Sequence, residues 1–179
     1  MPKIITAKRQ EGETDKAHEF IRTYILMPSS LLGLIAMVVG VVALGYQLLM
    51  GTYGWETFLY SSGLLICGIL LGIGHTKYQQ YVLREFPGYF ANRMKTYAQR
   101  SLHKARKSAT EVNIDHPGRG FIPLAYAVGI GGVLTLSGFS MSTGFLDGLP
   151  AFFLPWAGYF WAKLFFWKGL VLGPRGKGK

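Results

Sequence analysis

Apolar runs without charge divide this chain. No charged residue lies between Arg22 and Glu56, and inside that gap Ser30–Met50 is apolar almost throughout. As a helix rising 1.5 Å per residue it would be about 31 Å long, the thickness of a bilayer's hydrocarbon core. A second run, Thr57–Gly74, is short by itself, but helix can continue through His75 and Lys77 toward Phe86. A third spans Phe121–Phe139, and a fourth spans Leu149–Trp167 with Lys163 near its end. The chain has too little polar sequence to cover four such runs as core helices of a soluble domain. The pattern predicts an all-α integral membrane protein with four transmembrane helices arranged as two hairpins.

Five segments follow: an N-terminal part at 1–29, a first hairpin at 30–74, a link at 75–120, a second hairpin at 121–168, and a tail at 169–179. Thr14 or Asp15 can cap a helix reaching about Met27, with Phe20, Ile21, Tyr24 and Ile25 as its apolar face. Pro28 is expected to separate or kink this helix from the first span. In the link, Tyr78, Tyr81, Val82 and Phe86 extend the second span, and Pro87-Gly88 should end it. A basic amphipathic helix is then expected from about Tyr89 to Ala109. Phe90, Met94 and Tyr97 begin its apolar stripe, and Arg93, Lys95, Arg100, Lys104, Arg106 and Lys107 fill much of the rest. Such a helix suits an anionic membrane surface or an acidic partner subunit. The glycine- and lysine-rich tail is expected to be flexible.

Charge adds the topology. Lys and Arg number 19 against 9 Asp and Glu, giving +10, yet only 16% of residues are charged, below the roughly 25% of soluble domains. Every Lys and Arg falls in the N-terminal segment, the link, or the stretch from Lys163 onward. The two remaining connections hold only Glu56 and Asp147. The positive-inside rule then puts both termini and the basic link in the cytoplasm, as expected of a bacterial or archaeal cytoplasmic membrane protein. The excess charge thus reads as topology, and no nucleic-acid motif accompanies it. The single cysteine, Cys67, rules out a disulfide framework.

Small residues mark the spans. Gly40 pairs with Ala36, Gly68 and Gly72 form a GxxxG, and Gly129 and Gly132 punctuate the third run. In lipid, small residues let helix backbones approach and gain dispersion contact. Either this chain's own helices or those of another subunit would use these faces.

Chemistry is sparse. The apolar runs contain no Asp, Glu, Arg or His, whereas pumps and ion-coupled transporters place ionisable groups at membrane depth. Ser61, Ser62, Thr135 and Ser137 would be the hydroxyls of a small pore, although helix hydroxyls commonly bond their own backbone. No catalytic motif or metal-ligand spacing is present, so neither enzyme activity nor a metal site is expected. His75 stands at the end of the second run, where it could ligate haem or chlorophyll. Trp156 and Tyr159 in the aromatic fourth run could contact the ring of a quinone or pigment. Trp167 and Trp161 suit an interfacial belt, and Lys163 can snorkel out of the membrane. The first expectation is a non-catalytic accessory subunit of a larger membrane complex, respiratory or photosynthetic. It would contact anionic and other lipids and further integral subunits. A small oligomeric transporter or channel, and a haem-, chlorophyll- or quinone-binding protein, remain as alternatives.

Overall fold

The computed structural model describes residues 12, 14–99 and 120–171, with side chains of 95–99 and 169–171 left out of the description. Arg100, Lys104, Arg106, Lys107 and the tail beyond 171 therefore lie outside the described residues. The elements are α1 (Thr14–Leu49), α2 (Trp55–Glu85), α3 (Pro87–Gln99), α4 (Phe121–Ser142) and α5 (Gly148–Val171). No strand occurs among the described residues. Three helices, α1, α2 and α4, are long and apolar enough to cross a membrane. The expected fourth span forms α5, 24 residues long, whose tryptophans, tyrosine, prolines and two lysines dilute its aliphatic content.

Pro28, expected to separate or kink the helix, does not break it; α1 runs through it for 36 residues. A proline in a helix cannot donate to the carbonyl four residues back, and its ring crowds that carbonyl. Here Ile21–Leu26 are wound as π-helix, and the Met27 N–H reaches the Arg22 carbonyl, five residues back. The wider turn takes up the crowding without a break.

Helix α2 continues past His75 and Lys77 to Glu85, as the pattern of Tyr78, Val82 and Phe86 predicts. The residue before a proline avoids the helical region, and Phe86 leaves it with φ −132° and ψ 60°. Pro87 then opens α3, two residues earlier than expected. A first helical position tolerates proline because its N–H would be unpaired there anyway.

Stripes of small residues explain how the bundle packs. Along α1 the buried positions include Ser29, Gly33, Ala36, Gly40, Ala43 and Gln47. Along α2 they include Thr57, Ser61, Leu64, Gly68, Gly72 and Thr76. Spacings of three and four residues keep each set on one face. Both faces receive α5, which buries Ala151, Leu154, Pro155, Ala157, Gly158 and Ala162. The helices joined by residues 50–54 therefore share little direct surface, because α5 runs between them. The first sequence-adjacent pair thus does not pack as a hairpin of its own, whereas α4 and α5 do touch.

Chain direction follows from contacts along the helices. Thr57 donates to the Phe145 carbonyl (2.8 Å) and Gln80 to the Phe166 carbonyl (2.9 Å), so α2 and α5 run parallel. Gly33 meets Phe160 and Gly40 meets Leu154, so α1 and α5 run antiparallel. Glu56 and Asp147 consequently lie toward one end, and the described Lys and Arg residues toward the other, basic end.

A small core closes the basic end. Ala17, Phe20, Ile21 and Ile25 of α1 join Val82 and Leu83 of α2, Phe90 of α3, and Trp167 of α5. Two expectations change here. Trp167, expected in a lipid-facing belt, is fully buried, while Trp161 is 53% exposed. Phe90 and Met94, expected to lie on a membrane surface, pack against this core.

Candidate functional site around His75

The close approach of α2 and α5 builds the site. Gly68 faces the Pro155 carbonyl, Gly72 faces Tyr159 and Ala162, and Gly158 faces the Leu65 carbonyl and Ile69. Cβ atoms at these glycines would collide with backbone, which cannot swing aside as a side chain can. One turn beyond Gly72, the Tyr159 phenol lies 2.7 Å from Nδ1 of His75. With the phenol as donor, Nδ1 accepts and the ring proton sits on Nε2. Tyr126 of α4 packs on the imidazole at 4.8 Å between ring centroids. Lys163 does not simply extend away from the bundle; its Nζ lies 5.7 Å from the centroid of the Tyr159 ring.

His75 borders a cavity of about 350 Å³ at the basic end. Phe20 and Tyr24 of α1 line it, with Tyr78 and Gln79 of α2, Tyr89, Phe90 and Arg93 of α3, and Tyr126 of α4. Its size falls within the range of small-molecule sites. Gln79 Oε1 is buried without a hydrogen-bond partner among the described residues. The Arg93 guanidinium lies over the Tyr89 ring, 4.8 Å from its centroid. The cavity thus combines flat aromatic walls with an imidazole and a guanidinium, which can donate to the carbonyl groups of a planar ring, and an amide oxygen, which can accept from a ring hydroxyl.

The ring-binding residues expected from sequence are only partly brought together. His75 and Tyr159 are hydrogen-bonded. Trp156 meets the Tyr159 ring edge-on at 6.0 Å but does not line the cavity. Gln79, Tyr89 and Tyr126 were missed. Gln79 lies four residues after His75, on the same helix face, which is a readable signal. Tyr89 and Tyr126 arrive from other helices and carry no such signal.

Of the expected packing glycines, Gly40 meets Leu154, Gly68 and Gly72 meet α5, and Gly129 meets Leu71. Gly132 has open space where a Cβ would stand. Of the hydroxyls considered for a pore, Ser61 donates to the Phe58 carbonyl (3.1 Å) and Thr135 to the Gly131 carbonyl (2.8 Å). Both bonds stay within one helix. Ser137 is buried without a partner among the described residues, and Ser62 is half-buried. Of the expected docking residues, Arg93 is exposed on α3 and Lys95 lies on the same helix. Among the described residues, no three His, Cys, Asp or Glu side chains gather as metal ligands.

Comparison with known protein families, curated proteins and solved structures finds no match for this chain.

Proposed function

We propose that this chain is a non-catalytic integral subunit of a larger membrane assembly, respiratory or photosynthetic. In this reading α5 crosses the membrane with the other three helices, and both ends of the chain are cytoplasmic. Segregation of charge to the two ends of the bundle supports that orientation. The observation that carries the proposal is the exposure of α4. Only Val133, Ser137 and Ser140 of its 22 residues are buried, while Gly131, Gly132 and Gly138 have open space at the Cβ position. Glycines that no neighbour approaches leave the helix open to close contact with a helix of another subunit. The basic segments, including Arg93 and Lys95, would dock peripheral subunits or anionic lipid.

Purification from native membranes in mild detergent tests this reading. The expected result is a particle of defined stoichiometry containing other chains, from which the Gly131→Leu/Gly132→Leu variant drops out while remaining folded. A monodisperse particle of this chain alone would count against it.

The cavity beside His75 favours a second reading, in which the subunit holds a quinone or pigment ring. Tyr159 and Gln79 support it by holding the imidazole in place and by offering an unpartnered amide oxygen that can accept from a ring hydroxyl. An absorption spectrum and an organic extract of the purified protein test it. A bound ring lost in His75→Ala is expected; no ring in either preparation would overturn it.

A further inference from the structure

A second, larger concavity lies between α1 and α5 at the basic end, about 790 Å³ in volume. The two helices are held together at Gly33 against Phe160 and in the core that includes Ile21 and Trp167. Arg22 and Lys168 directly follow two residues of that core, so their backbones stand at the same level, and both side chains border the groove. Neither cation has an acidic partner among the described residues. Below them the wall is apolar and faces outward: Met27 is exposed, and Trp161 and Phe165 stack at 5.7 Å and 16° while both remain exposed.

A paired cationic rim above an outward apolar wall is the arrangement of a phospholipid's two halves. We propose that this groove binds an anionic phospholipid. Arg22 and Lys168 hold its phosphate, and an acyl chain lies along Met27, Leu164 and the Trp161–Phe165 stack. A free phosphate would leave the apolar wall uncovered. A zwitterionic lipid would bring its own cation to a rim that already has two. The site is separate from the His75 cavity, which shares none of its lining residues. The proposal needs the chain to be embedded in lipid, but neither the ring reading nor the subunit reading.

Delipidated protein in detergent, titrated with phosphatidylglycerol and with phosphatidylcholine and read by native mass spectrometry, tests it. The intact chain should retain phosphatidylglycerol with roughly thirtyfold preference, the order expected of two cations at a membrane surface. Arg22→Gln/Lys168→Gln should bring the preference close to one, with each single variant in between. Trp161→Ala/Phe165→Ala should weaken retention of both lipids. Arg84→Gln, which alters an exposed cation elsewhere at the same end, should leave the preference unchanged. No preference in the intact chain would overturn the proposal. So would an unchanged preference in the double-cation variant, or an equal loss in Arg84→Gln. Both groove cations are exposed, so the melting temperatures of these variants should match that of the intact chain.

Discussion

Helices α4 and α5 are close in length, at 22 and 24 residues, yet they occupy opposite situations. Helix α5 lies between α1 and α2 and buries small residues along its length together with Trp167. Helix α4 touches the bundle through Val133, Ser137 and Ser140, the Tyr126 contact with His75, and Gly129 against Leu71. Apolar content does not decide which helix is packed, because lipid satisfies an apolar side chain as well as a neighbouring helix does. The separation comes from shape. Pro155 of α5 meets Gly68 of α2, Tyr159 and Ala162 meet Gly72, and Gly158 meets Leu65 and Ile69, whereas the glycines at 131, 132 and 138 of α4 meet nothing among the described residues.

Substitutions on the two helices should break this comparison or sharpen it, read by SDS-driven unfolding in detergent. The largest effect is expected from Trp167→Ala, which empties the core at the basic end and should cost about 3–5 kcal/mol. Leu124→Ala on the exposed face of α4 should stay within about 0.5 kcal/mol. Gly158→Leu and Gly68→Leu drive a side chain into opposing backbone and should each cost about 1–3 kcal/mol or more. Tyr159→Phe removes only the bond to His75 and should cost about 1 kcal/mol, with the helices otherwise unchanged. Gly131→Leu should leave the isolated chain nearly unaffected, within about 0.5 kcal/mol. A loss there equal to that of Gly68→Leu would show that α4 is packed as tightly as α5, and the contrast would fall.

Much of the fold was legible because apolar length and charge placement act locally. The extension of α2 past His75 followed from Tyr78 and Val82 at helical spacing, and its end followed from Pro87. Order in space was not legible. Nothing in the run of residues from Leu149 to Trp167 announces that it lies between α1 and α2, because a stripe such as Ser29, Gly33, Ala36 and Gly40 names no partner. Trp167 was misread for a related reason. A tryptophan near the end of an apolar run suits a lipid–water boundary equally well, and only the arrival of Phe20, Val82 and Phe90 from three other segments buries it. The site was legible at His75; Gln79 was missed although it shares that helix face. Its remaining wall depends on the crossing of four helices.

The π-wound stretch of α1 has a consequence for rhythm. Ala17, Ile21, Ile25, Ser29 and Gly33 are all buried, recurring every fourth residue. In an α-helix that interval overshoots a full turn by about 40° each time, so the seam would creep around the rod and leave the bundle. Unwinding at Ile21–Leu26 cancels the creep, and one continuous seam serves both the core at the basic end and the apolar span. Pro28 thereby acts as a phase lock. With alanine in its place the helix is free to tighten, and Ala17 and Ile21 would turn away from Val82 and Phe90 while the seam from Gly33 onward stayed in place.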